Sequence, residues 1–241
     1  MSVTPLRRND EAAPVASAEH AVEARRSQSL VSICQTEIER MILDADLVMG
    51  ARINELGLAA RLGISRGPVR EACRSLVQAG LLETRANRGF FVRKLAHKEV
   101  IDLYDLRAGL MRLAGELVAR HITAGQLTHL RSLVDAMETA RAGNDTARFQ
   151  DLNADFHAAL VTATDNRRLE RVYRDLANES RLFRRRGLVS EAAMESSNRE
   201  HRAIIDEIAA HDAERTAATM ENHILQGKAR FMLASADELE G

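Results

Sequence analysis

The chain has 241 residues, 45% hydrophobic and 29% charged, with three prolines, no tryptophan and a net charge of −1. This is the composition of a soluble, helix-rich globule, long enough for one large domain or two modest ones. No apolar run approaches the roughly 18 residues that a membrane helix needs, and the N-terminus has no apolar core to act as a secretion signal. Cys34 and Cys73 stand in no metal or redox spacing, so reduced thiols and a cytoplasmic location are expected. Charge is unevenly spread. Residues 28–95 carry ten Lys and Arg against seven Asp and Glu, whereas residues 96–241 carry 20 against 24. A basic front and an acidic rear suit a chain that holds DNA at one end.

Residues 1–27 mix Pro, Ala, Glu, Arg and Ser without a period, and a disordered tail is expected there. From Gln28 to about Leu43 the stripe Leu30, Ile33, Ile38, Met41, Ile42 predicts a helix, and Gly50 breaks the chain after it. A short helix follows from about Asn54 to Arg61, ended by Gly63. A third opens at Ser65 and runs to Ala79, where Gly80 stops it. Leu81–Thr84 and Phe90–Val92 are β-prone segments around a polar turn with Gly89, which reads as a hairpin. Helix, tight turn, helix and hairpin are the order of a winged helix-turn-helix, here spanning residues 28–95.

From residue 96 to 241 every apolar stripe steps by three or four. Leu103, Leu106, Leu110, Leu113 and Leu117 mark one long amphipathic helix. Leu127–Met137, Phe149–Leu160, Leu169–Phe183, Ile204–Ile208 and Met220–Phe231 mark five more, joined by short loops. The fold class expected is mainly α: a winged helix-turn-helix followed by an all-helical bundle.

The third helix carries the chemistry expected of a DNA reader. Arg66 and Arg70 lie four apart on one face and Arg74 continues the row. An arginine fork can take guanine O6 and N7 or clamp a phosphate. Ser65 is placed as an N-cap, where the helix terminus favours a phosphate oxygen. Gly67 permits close approach, and Pro68 fits the first helical turn. Arg88, beside Gly89, can reach the backbone or minor groove, as can Arg85. A row of arginines alone is usually a solvated face; the order of elements around it favours DNA.

The stretches Gly50–Glu55, Leu58–Ala72, Gly80–Leu82 and Asn87–Val92 together resemble the GntR superfamily DNA-binding domain. The resemblance covers roughly residues 30–95. It implies a dimer on a short palindrome, DNA contacts from Arg66 and Arg70, and Gly89 at the tip of the wing.

In the second half, His157, His201 and His223 fall in apolar helical segments, and Asn153 precedes His157 by four residues on one face. Three imidazoles from three helices plus an oxygen can bind a divalent first-row metal, leaving positions open for a ligand. A lone helical histidine is more often solvated or hydrogen-bonded, and His20, His97, His121, His129 and His211 are read that way. Tyr104–Arg107, Asn153 with Phe156-His157, Asn166, Glu200-His201 and Met220 with His223 resemble the FadR-type C-terminal ligand-binding domain (FCD). That resemblance implies six or seven helices, a metal (zinc or nickel foremost) on Asn153, His157, His201 and His223, and an organic acid above it. Asn153 stands where Asp is more usual, and Met111 where Glu is common, which bears on metal affinity and on contacts around Arg107.

Arg107 is a candidate carboxylate clamp, weighed evenly against a solvated surface arginine, and Arg181 is a candidate to face the same cavity. The function expected is a homodimeric, ligand-responsive transcription regulator, not an enzyme. The alternative is a metal-dependent hydrolase or lyase carrying a helix-turn-helix. Against it, Asp155 lies on a different helical face from His157, leaving no evident general base. A purely structural DNA-binding protein is disfavoured by a second domain too large for dimerisation alone.

Overall fold

The computed structural model describes residues 29–42, 46–180, 182 and 190–237. The expected tail lies outside them. The chain divides into two compact units, one of residues 1–78 with 82–92, the other of residues 79–81 with 93–241.

The first unit opens with α1, residues 29–42. Cys34 and Ile38, four apart on one face, are fully buried, whereas Ile33 is exposed. Ile38 of the predicted stripe thus faces inward, while Cys34 takes the inward place one turn earlier that the pattern gave to Ile33. Helix α2 (Glu55–Leu62) starts on Asn54, whose Oδ1 accepts the Gly57 N–H at 2.9 Å. It ends on Gly63 at φ 65°, with the Ile64 N–H closing onto the Ala59 carbonyl, a Schellman-type stop that a left-handed glycine allows. Two residues later α3 (Arg66–Gln78) begins, burying Val69, Ala72, Cys73 and Leu76.

The wing is β1 (Leu82–Arg85) antiparallel to β2 (Gly89–Val92), with Leu82 opposite Val92 and Arg85 opposite Gly89. The turn is thus residues 86–88, with Asn87 at φ 57°, and Gly89, at φ 89°, opens β2 directly after it, at the tip end of the wing. The segment before α2 lies along the other edge of β2. Ile53 donates its N–H to Phe90 at 2.9 Å, and Val92 donates to Ala51 at 2.8 Å.

The second unit is all helix among its described residues: α4 (His97–His121), α5 (Ala124–Ala142), α6 (Thr146–Thr162), α7 (Arg167–Ser180), α8 (Glu191–Ala209) and α9 (Ala213–Asp237). Starts are set by side-chain caps. Thr123 and Gln126 form a capping box on α5, Asp145 caps α6 and Ser190 caps α8. One core runs through the bundle, from Val100 and Met111 on α4 through Phe149 and Phe156 on α6 and Ile204 and Ile208 on α8 to Met220 and Phe231 on α9.

Helices α4 and α9 pack most intimately. A Cβ placed on Gly115 would stand 2.7 Å from the Ala217 Cα and 2.9 Å from its nitrogen, both backbone. Neither atom can swing aside as a side-chain end would. Gly115→Ala is therefore expected to destabilise the protein by about 1–3 kcal/mol, the usual range for overpacking a filled core. A urea unfolding midpoint equal to that of the wild type would refute this close approach.

The leucine row of α4 is not its buried face. The bundle buries Val100, Tyr104, Arg107, Ala108, Met111, Ala114, Gly115 and Val118 instead. Leu103, Leu110 and Leu117 are half-buried at the margin, while Leu106 and Leu113 are exposed. Small residues on the inward side bring α9 close, and that geometry outweighs the greater apolar area of the leucines. The fourth predicted stripe is mixed. Leu169 and Leu176 are buried on α7, Val172 is exposed, and Phe183 lies outside the described residues.

Candidate functional site

The first unit presents one cationic face. Arg66, Arg70 and Arg74 are all exposed along α3, opposite its buried side. Ser65 and Gly67 are exposed at the start of the helix and Pro68 is half-buried in its first turn. Arg74 is paired with Glu71 one turn earlier. Among the described residues, Arg66, Arg70 and Arg88 enter no ion pair. Arg85, by contrast, is held by Glu83 at 2.8 Å and lies over the Phe91 ring, its guanidinium carbon 4.2 Å from the centroid. It stiffens the wing while Arg88, at the tip, projects into solvent.

At Gly89 an added Cβ would come within 3.7 Å of the Glu55 Oε1 and 4.0 Å of Arg52. The tip end of the wing therefore lies near the Glu55 side chain at the start of α2. At the start of α2 a concavity of about 430 Å³ is lined by Arg52, Ile53, Asn54, Glu55, Leu56 and Arg66. Arg52 was not singled out from the sequence. Its bridge to Phe91 along the sheet edge carries it to this face, and no helical period could show that.

In the second unit three helices converge. His157 on α6, His201 on α8 and His223 on α9 are all buried, with ligand atoms within 4.8 Å of one another. The His223 Nε2 lies 3.1 Å from the His157 Nε2 and 3.2 Å from the His201 Nε2. Nitrogens bound at about 2.0–2.1 Å to one shared ion stand roughly 3.0–3.4 Å apart, so this spacing fits a common metal. Asn153, one turn before His157 on the inward side of α6, is buried with its Oδ1 lacking a hydrogen-bond partner. An orphaned buried carbonyl oxygen one helical turn from His157 is of the donor type that, with imidazole nitrogens, suits a divalent transition ion.

The support around the histidines went unassigned at the sequence level. The His223 Nδ1 meets the Glu200 carboxylate at 2.6 Å, and Arg230 grips the same carboxylate at 2.7 and 3.2 Å. A carboxylate on Nδ1 holds that proton there and turns the Nε2 lone pair inward. Burial pushes the Glu200 carboxyl upward, but the hydrogen bonds from His223 and Arg230 outweigh it and bring its pKa down to about 2. Burial lowers the pKa of His201 well below the ordinary range, with the charges of His223 and Arg230 adding to the effect. Burial likewise lowers His223, against the pull of Glu200. Both rings are therefore neutral near pH 7, the form that binds metal. The pairing of Glu200 with Arg230 spans α8 and α9, 30 residues apart, and only the identity of Glu200 as the residue before His201 hinted at it.

Arg107 is buried, 7% exposed, with its Nε lacking a hydrogen-bond partner, and it is not a solvated surface residue. Its guanidinium lies 5.7 Å from the Tyr104 ring centre, and its charge contributes to lowering His223. Met111, one turn further along α4, is fully buried in the core. Arg181 lies outside the described residues. Asp155 points outward, lining a groove between α5 and α6 with His129, and does not join the histidines.

A winged helix with an exposed arginine row, joined to a helical bundle with a buried imidazole cluster, is the build of a two-domain transcription regulator. The chain belongs to the GntR family: residues 34–92 match the bacterial regulatory proteins of the gntR family, and residues 102–226 match the FCD domain. It is 32% identical over 183 residues to a probable D-xylose utilization operon transcriptional repressor of Paenarthrobacter nicotinovorans, covering 76% of this chain and 80% of that one. It is 33% identical over 173 residues to the HTH-type transcriptional regulator YdhC of Bacillus subtilis, covering 71% and 77%. Among solved structures, Escherichia coli McbR/YncC shares the fold with a TM-score of 0.74 at 20% identity, over 85% of this chain and 97% of the other. The family consists of transcription regulators, not enzymes, which disposes of the hydrolase alternative. No helix among the described residues is long and apolar enough to cross a membrane.

Proposed function

We propose that this chain is a cytoplasmic, homodimeric operator-binding regulator whose DNA affinity responds to a small carboxylate. Residues 28–95 read DNA and residues 96–241 sense the ligand. The observation that carries the reading is the buried convergence of His157, His201 and His223 in the same bundle as the buried, partly unsatisfied Arg107. In this reading Asn153 and the three histidines hold a divalent transition metal, zinc or nickel, which when bound supplies an electrophilic anchor for a carboxylate oxygen. Glu200 and Arg230 keep the His223 proton on Nδ1. Arg107 offers a guanidinium fork to the same carboxylate. Ligand binding then favours one arrangement of the dimer over another. Two relatives are named for the operons they regulate, for D-xylose utilization and for Nta, which supports operator DNA as the partner here.

The test is a thermal-shift screen of the purified protein against small carboxylic acids, with and without a chelator. A shift for one acid that vanishes on chelation is expected. A shift that survives chelation would move the anchor to Arg107 and remove the metal from the mechanism.

A further inference from the structure

Helix α7 turns an arginine row to solvent. Leu169, Tyr173 and Leu176 are buried on one side of it, and Arg167, Arg171 and Arg174, spaced by four and three residues, are exposed opposite them. Arg168, also exposed, lies beside the row. Among the described residues none of these four arginines enters an ion pair. Cations elsewhere in the bundle are matched: Arg112 with Glu221, Arg141 with Glu138 and Glu191, Arg215 with Glu207. The row also works against its own helix. Like charges three and four residues apart repel, and Arg167 and Arg168 fill the first turn, where the helix dipole disfavours a cation. A local cost with no internal partner points to an external anion.

The other end of α7 is fixed to the chain on both sides of the wing. Glu179 accepts a hydrogen bond at 2.7 Å from Arg93, the residue after β2. A Cβ on Gly80, two residues before β1, would stand 2.6 Å from the Glu179 Cγ, and Gly80 takes a φ of 76° there. Arg93 also donates its N–H to the Leu81 carbonyl at 3.0 Å, closing the base of the hairpin. Gly80, Leu81 and Arg93 all fold with the bundle. Arg174 is five residues before Glu179, roughly 8 Å along a helix. Arg88 is five residues before Arg93, at most about 18 Å of extended chain. Both stretches start from the Arg93–Glu179 pair.

We infer that the row on α7 is a second DNA contact, gripping the phosphate backbone outside the half-site that the first unit reads. From Arg167 to Arg174 the helix rises roughly 10 Å, about three phosphate steps of one strand at 3.4 Å each. Guanidinium forks fit phosphate oxygens, and in that role they carry no base preference. The row therefore adds affinity and salt dependence without altering the sequence preferred. An acidic polypeptide could meet the same charges, but the tie between Glu179 and Arg93 sets the row at the foot of the element that carries Arg88 to DNA. The inference rests on DNA binding by the first unit.

The test uses the full chain and a duplex selected from a random-sequence library. The duplex is made in two lengths: the selected core, and the core extended by about one helical turn, roughly 10 base pairs, at each end. The wild type is expected to bind the extended duplex more tightly. That gain should fall roughly 3- to 4-fold per phosphate contact as salt rises from about 50 to 200 mM. Arg167→Gln with Arg171→Gln and Arg174→Gln is expected to bind the core as the wild type does and to gain little from the extension. Arg171→Cys carrying a tethered iron–EDTA group is expected to cut the DNA outside the core; Cys34 and Cys73 are buried and do not take the label. Should the triple variant misfold, the cutting pattern decides. Equal wild-type affinity for both lengths overturns the inference, as does a gain kept in full by the triple variant or an absence of cuts outside the core. A triple variant with full DNA binding that has lost wild-type binding to polyglutamate would assign the row to an acidic protein and overturn the DNA contact. Failure to bind any duplex sinks the regulator reading as well, whereas binding to the core without a gain from the extension sinks the α7 contact alone.

Discussion

His201→Ala is expected to abolish stoichiometric metal in the purified protein. His201 is fully buried with its Nε2 3.2 Å from that of His223, which lies 3.1 Å from that of His157, and its removal leaves two nitrogens and an amide oxygen. Loss of an outer partner of a metal ligand typically weakens binding about 10–100-fold, so loss of the ligand itself is expected to exceed about 100-fold. The consequence extends to stability. A metal that binds only the folded chain, at about 1,000 times its dissociation constant, adds roughly 4 kcal/mol. For a chain of this size that is on the order of 8–16 °C in melting temperature. Chelated wild-type protein should regain that increment when metal is returned, and His201→Ala should not. Elemental analysis showing full occupancy in the variant would falsify the assignment. Comparing each protein with and without metal separates this effect from the cavity that the substitution leaves.

Arg70→Ala is expected to weaken operator binding by about 1–3 kcal/mol per half-site and to relax sequence preference at one position, the signature of a lost bidentate contact to guanine. Arg70 is exposed in mid-row on α3 and, among the described residues, enters no ion pair, so its fork is free to bind. Arg88→Ala offers the contrast. At the wing tip it is placed for a phosphate, so weakening should be similar across all sequences, with the salt dependence shallower by about one unit per contact. Arg74 is engaged by Glu71 and should matter less than either. Titrations of labelled duplexes at several salt concentrations, on operator and scrambled DNA, resolve the three. If Arg70→Ala leaves affinity and preference unchanged, the base contact belongs elsewhere on the face, and Arg52 or Arg66 beside the concavity becomes the next candidate.

What this sequence determined by itself is whatever a local period can encode. The order of helix, glycine stop, helix and hairpin follows from caps and turn residues that act within a few positions, as at Asn54, Gly63 and Asn87. The arginine row on α3, and the shared face of Asn153 and His157 on α6, follow from four-residue spacing on a helix. Tertiary structure decided the rest, because contact between helices depends on packing distances that no single stripe contains. It chose the small-residue face of α4 as the inward one, since Gly115 lets α9 approach to backbone contact, and turned Leu106 and Leu113 outward. That choice buried Arg107. It also brought the ligand atoms of His157, His201 and His223 to within 4.8 Å of one another, and set Glu200 and Arg230 beside His223 from two different helices.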